Sequence, residues 1–133
     1  MYTASCLCGG IQLKINTEIP HVFVCHCQQC QKAQGSAFVA IAPIETKNVE
    51  IVKGQELCSE YYATTNKKRV FCKSCGSPLF SARLDLPDLI RLRVGIINEP
   101  LKAEIASHAF TDYKAAWFEI LDDHVKFKEA ICE

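Results

Sequence analysis

The chain has 133 residues, with fifteen Lys plus Arg against fifteen Asp plus Glu, 49% hydrophobic residues and nine cysteines. That length suits one domain over residues 1–133, able to bury roughly two thirds of the surface its unfolded chain exposes. The balanced charge, with no basic run longer than Lys67-Lys68-Arg69, excludes the clustered basic excess of a nucleic-acid-binding surface.

No apolar stretch approaches the length needed to span a bilayer. Met1-Tyr2-Thr3-Ala4-Ser5-Cys6 has neither the basic start nor the apolar run of a signal peptide. The expectation is therefore a cytoplasmic protein with no membrane partner. In that setting thiols stay reduced, and closely spaced cysteines are metal ligands or catalytic groups before they are disulfides. Nine is also an odd number, which suits a purely disulfide framework poorly.

In chain order, Cys6-Leu7-Cys8-Gly9-Gly10 places two thiols on one side of an extended segment, followed by glycines that let the backbone turn. Ile11, Leu13 and Ile15 then alternate with polar residues, the period of a half-buried strand. Beyond the turn at Pro20, residues 21–25 read as a strand that delivers Cys25-His26-Cys27-Gln28-Gln29-Cys30, three thiols in six residues. Cys25 and Cys27 converge by period two, and Cys30 joins them across a C-x2-C knuckle. Residues 31–34 suit one helical turn, closed by Gly35. Residues 37–42, between Gly35 and Pro43, read as a buried strand, and 48–53 and 57–63 as two more. Residues 67–71 lead into Cys72-Lys73-Ser74-Cys75-Gly76, a second knuckle with an exit glycine. Residues 78–83 and 89–97 look extended, 104–110 suits a strand, and 113–121, with the single tryptophan Trp117, suits a short helix or a strand. Residues 124–128 close the pattern. At least seven short strands with glycine and proline punctuation predict a mainly β domain.

Seven cysteines fall in three clusters, leaving Cys58 and Cys132 apart. The simplest partition joins Cys6, Cys8, Cys72 and Cys75 in a closed four-thiol zinc site and leaves Cys25, Cys27 and Cys30 as an open one. Structural zinc sites fill all four tetrahedral positions with protein, whereas catalytic sites keep one free. Three thiolates on a divalent zinc leave a net charge of about minus one. Such a centre suits a substrate thiol better than water, with an electrophilic carbonyl as the partner of the zinc-bound thiolate. Alternatives stay open at this level. A fourth ligand from Cys58, Cys132 or a histidine would make the triplet a second structural site, and a disulfide cycle would make it a redox centre.

Lys32, Gln34 and Ser36 follow the triplet and are candidate contacts to a polar substrate, against the plainer role of solvated loop residues. Trp117 and Phe118 suit a pocket wall or the core. Lys67, Lys68 and Arg69 suit a carboxylate contact or a solvated charge run. His21, His26, His108 and His124 are isolated and read as surface or satisfied core residues.

The segments Cys6-Leu7-Cys8-Gly9, Cys25-His26-Cys27-Gln28-Gln29-Cys30 through Phe38, and Arg69-Val70-Phe71-Cys72-Lys73-Ser74-Cys75-Gly76-Ser77 resemble the glutathione-dependent formaldehyde-activating enzyme family, also called the CENP-V/GFA family. The likeness continues through Val94-Gly95 and Ala116-Trp117. The resemblance implies a β-tent zinc fold, a structural zinc on Cys6, Cys8, Cys72 and Cys75, and a catalytic zinc on Cys25, Cys27 and Cys30. It further implies a carbon–sulfur lyase or synthase that joins glutathione, or a similar thiol, to formaldehyde or another small aldehyde. The competing reading is a non-catalytic module in which two structural zincs hold a surface that binds a protein partner. One departure is visible: Ile96-Ile97-Asn98-Glu99-Pro100 stands where relatives tend to carry an acidic turn.

Overall fold

The structure is a computed structural model and describes residues 1–129. The chain is mainly β, with eleven strands and one α-helix among the described residues, organised as two compact units.

The first unit comprises Met1–Glu18 and Pro43–Leu101. Its β1 (Tyr2–Ser5), β2 (Gln12–Ile15) and β5 (Val49–Lys53) form an antiparallel sheet in the order β1-β2-β5. Four further antiparallel strands, β6 (Cys58–Tyr62), β7 (Lys67–Cys72), β8 (Pro78–Arg83) and β9 (Leu89–Arg93), pair in sequence order. The alternation seen around β2 has its expected outcome: Ile11, Leu13 and Ile15 are at most 1% exposed while Gln12 and Lys14 face out. Each such burial contributes about 1.5–3 kcal/mol.

β1 was not expected from the sequence. It is held by β2 and by the loop that departs from the family pattern. Thr3 donates its backbone N–H and its hydroxyl to the Glu99 carboxylate at 2.6 and 2.7 Å, and Ser5 Oγ bonds Asn98 Oδ1 at 2.9 Å. Gly54 holds φ +83°, and a methyl group there would run into the Gly10 carbonyl, so only glycine permits this approach of β5's end to the turn after Cys8.

The second unit comprises Ile19–Ala42 and Lys102–Glu133. β3 (His21–Cys25) lies parallel to β10 (Glu104–Ala109) and antiparallel to β4 (Val39–Glu45), and β11 (Val125–Lys126) adds to β10 in parallel. The one α-helix among the described residues, α1, spans Gln28–Gln34; Gly35 ends it with φ 61° and an N–H to Gln31 O. It begins three residues earlier than the turn expected from the sequence, so the Gln28-Gln29 knuckle is its first turn.

Several elements differ from expectation. The strand expected over 37–42 starts at Val39 and continues through Pro43, because its register with β3 ends at Ile41 and Pro43 interrupts no bond of that ladder. β9 stops at Arg93, where a 3-10 turn, Val94–Ile96, begins. Residues 114–121 form neither helix nor strand. There Lys114 Nζ donates to the carbonyls of Ala115 and Phe118, at 3.4 and 2.8 Å, doing for this irregular segment what a ladder would do.

Candidate metal centres

Four thiols converge in the first unit. Cys6 and Cys8 sit on the turn after β1, Cys72 ends β7, and Cys75 lies on the knuckle that follows. All four Sγ atoms lie within 4.8 Å of one another, with Cys6 to Cys8 at 3.6 Å and Cys8 to Cys72 at 3.9 Å. A tetrahedral zinc with Zn–S bonds of about 2.3 Å needs sulfurs about 3.8 Å apart, so the donor set fits the ion.

Backbone amides build this cluster. Ile11 N–H donates to Cys6 Sγ at 3.2 Å, Gly76 N–H closes the knuckle onto Cys72 O at 2.7 Å, and Leu7 N–H reaches Ser77 Oγ at 2.8 Å to join the two turns. Hydrogen bonds from the Ser77 hydroxyl and backbone pull Cys75 down to about 5. At Cys8 the Gly10 N–H works the same way, but the Cys6 sulfur and burial outweigh it and push the thiol up to about 11. Four thiolates this close repel one another, and a cation is what allows all four to ionise together.

Three thiols converge in the second unit. Cys25 ends β3 and pairs with Ala109 of β10; Cys27 is the N-cap of α1, with its Sγ accepting from Cys30 N–H at 3.4 Å; Cys30 lies in the first turn. Their sulfurs also lie within 4.8 Å of one another. Cys25 and Cys30 are buried with Val39, Ile41 and Ala109, and Cys27 alone is partly exposed. Among the described residues no fourth Cys, His, Asp or Glu joins this group. Phe110 packs against the same cluster with φ 55°, a conformation unusual for a residue with a side chain, which stores strain beside the triplet.

Between two of these thiols, His26 is wholly buried and points into a separate polar chain. Its Nε2 lies 2.8 Å from His108 Nδ1, and His108 Nε2 lies 2.8 Å from Asp122 Oδ2. Burial first, then the nearby His108 and Lys114, push His26 down to about 4. Burial works to raise the Asp122 carboxyl, but bonds from His108, the His124 N–H and Lys126 hold it at about 2. Asp122 is thus ionised and accepts from His108 Nε2–H. Phe38 and Phe118 rings flank His26 at 5.6 and 6.2 Å, and its Nδ1 is buried with no partner among the described residues. The backbone is pinned as well: His26 N–H donates to Ala109 O at 3.0 Å, and Gln31 Nε2 donates to His26 O at 2.8 Å and Tyr113 O at 2.9 Å.

Other residues singled out in the sequence fall in diverse places. Lys32 and Ser36 are exposed, while Gln34 is half-buried with its Nε2 enclosed and unpartnered among the described residues. Cys58 lies on β6 with its thiol 3.9 Å from Gly54 O and is not part of the triplet; nor is any histidine. Cys132 lies outside the described residues. Trp117 is 77% exposed and so belongs to no core, whereas Phe118 is half-buried against Phe38. His21 and His124 are exposed. The sequence reading missed Asp122 and the pairing of His26 with His108. Nothing in their spacing links residues 82 and 14 positions apart.

A mainly β chain with a closed four-thiol cluster and an open three-thiol cluster defines a protein with two candidate thiolate metal centres. The chain belongs to the glutathione-dependent formaldehyde-activating enzyme family, whose model matches residues 1–113. It is 33% identical over 81 residues to a protein of Schizosaccharomyces pombe named as an uncharacterized lyase, a match covering 61% of this chain and 57% of that protein, less than two thirds of its length. It also resembles the crystal structure of a Rhodobacter sphaeroides protein at 20% identity, with a TM-score of 0.63 over 77% of this chain and 98% of that one, a likeness of fold alone.

Proposed function

We propose that the chain is a zinc-dependent carbon–sulfur lyase or synthase that joins a glutathione-like thiol to a small aldehyde such as formaldehyde. The observation that carries this reading is the triplet: three converging sulfurs, one of them reaching the surface, with no fourth protein ligand among the described residues. A zinc ion held there supplies a Lewis acid that favours a deprotonated substrate sulfur.

This chain's own residues then do the rest. Cys25 and Cys30, fixed in the core, and Cys27, at the edge, would hold the ion through their three sulfurs. The substrate sulfur attacks the aldehyde carbon, the carbonyl π pair moves to oxygen, and the thiol proton ends on that oxygen, giving an S-hydroxymethyl hemithioacetal with no net proton change. Gln34, whose Nε2 is buried and unpartnered, is the candidate donor to the polar substrate, with Lys32 and Ser36 at the exposed rim. Cys6, Cys8, Cys72 and Cys75 hold a second, structural zinc. Residues 1–133 are one domain of the β-tent type, working in the cytoplasm, where its thiols stay reduced.

The test is to mix the zinc-loaded protein with glutathione and formaldehyde and follow adduct formation. Acceleration above the spontaneous rate, lost in Cys27→Ser, is the expected result. No acceleration with several thiols and aldehydes, together with a cobalt-substituted spectrum unchanged by added thiol, would instead support a non-catalytic zinc module that binds a protein partner.

A further inference from the structure

We propose that Arg69 and Ser81, backed by Arg93, form a binding site for the carboxylate of a small molecule. The site lies within the first unit and does not depend on the thiol–aldehyde reading.

The register places Tyr61, Arg69, Ser81 and Arg91 in one row across β6, β7, β8 and β9. Residues paired across antiparallel strands emerge on the same face, and steps of two along each strand stay on it. Lys67, Arg83 and Arg93 therefore join Arg69 and Arg91 on this face, where Arg83, Arg91 and Arg93 have partners of their own. The other face is balanced differently: Lys68, next to Arg69 in sequence, points there and pairs with Glu60 at 2.7 Å. Arg83 draws its counter-charge from a loop residue, Asp85, at 2.7 Å. Among the described residues, Arg69 has no such partner. Both terminal nitrogens of its guanidinium are buried without a hydrogen bond. A guanidinium does not shed its charge at any ordinary pH, so burying it unpaired is costly unless an anion meets it.

Ser81 supplies the rest of the cradle. It is 1% exposed, and its Oγ accepts from Arg93 Nη1 at 3.0 Å, which leaves its own hydroxyl hydrogen to donate. Two parallel N–H donors on a planar fork match the two oxygens of a carboxylate, and the Ser81 hydroxyl adds a third bond. The structure thereby turns the run Lys67-Lys68-Arg69, which in sequence reads as readily as a solvated patch, into one ion pair and one waiting cation.

The experiment is a titration of the full-length, zinc-loaded chain with N-acetylglycine at constant ionic strength, followed by NMR at residues 69 and 81. N-acetylglycinamide serves as the neutral isostere and inorganic phosphate as the other oxyanion. Saturable shifts with N-acetylglycine, absent with the amide, are expected. Affinity should fall at least tenfold in Arg69→Met, less in Arg69→Lys, which keeps charge but not the fork, and a few-fold in Ser81→Ala. The proposal is overturned if the amide binds as well as the acid, if phosphate shifts these residues and N-acetylglycine does not, or if Arg69→Met binds unchanged. Because the wild-type shifts stand on their own, a variant that fails to fold leaves the proposal open to refutation by the first two outcomes.

Discussion

Replacing His108 by Ala breaks the chain from Asp122 to His26 at its middle. In the native protein each link is 2.8 Å long, and His26 and His108 are 0% and 4% exposed. Whichever ring donates across the His26–His108 bond, the variant leaves His26 Nε2 buried with no partner. An unsatisfied buried polar group costs about 1–3 kcal/mol. The lost imidazole leaves a cavity that adds on the order of 1–2 kcal/mol at about 24 cal/mol per Å3. Together these predict a loss of about 2–5 kcal/mol, measured by urea unfolding at saturating zinc. Because His26 lies between Cys25 and Cys27, the same change loosens the triplet and lowers its zinc affinity about 10–100-fold, the range for residues that orient ligands, read by competition with a chromophoric chelator. Asp122→Asn keeps an oxygen to accept from His108 and should cost less on both measures. A His108→Ala variant within about 0.5 kcal/mol of wild type, or an Asp122→Asn variant as damaged as His108→Ala, refutes the reasoning.

Three other expectations are open to direct measurement. Cys72→Ser should lose one equivalent of zinc and the native fold together, since structural zinc contributes on the order of 10 kcal/mol in small zinc modules; a folded variant that retains both metals by elemental analysis contradicts the closed site. Gly54→Ala combines a left-handed φ with a collision against the Gly10 backbone and should cost at least about 2 kcal/mol in urea unfolding, whereas a midpoint equal to wild type would show that the turn yields. Bonds from Arg83 and Asn66 hold Asp85 at about 2, below its ordinary 3.8. A depressed carboxylate stabilises the fold fully above pH 4, and that contribution is lost as pH falls towards 2. Asp85→Asn should therefore unfold with a shallower pH dependence than wild type between pH 4 and 2, and parallel profiles would refute the Arg83–Asp85–Asn66 contribution.

Much of the site was legible because its pieces are local. A cysteine two or three residues from another shares its side of a strand or helix turn, so Cys25, Cys27 and Cys30 converge through β3 and α1 alone, and the Cys72–Cys75 knuckle forms the same way. The closed cluster needed one further step, matching an incomplete pair to an incomplete knuckle, which ligand arithmetic supplies. The strands around β2 and β5 were legible for the same reason, since a period of two needs only neighbours. β1 was not: its four residues, Tyr2–Ser5, show no alternation and are held by Asn98 and Glu99, 93 and 96 positions from their partners along the chain.

By itself, then, the sequence determined where the thiols cluster and that the chain is built of short strands, because each of these follows from spacing along a few residues. The tertiary structure alone decided that Cys58 stays out of the triplet, that His26 is anchored to His108 and Asp122, and that Lys68 finds an acid while Arg69 does not. Those outcomes depend on strand order and register, which set the neighbours of a side chain across tens of residues and leave no period in the sequence to read.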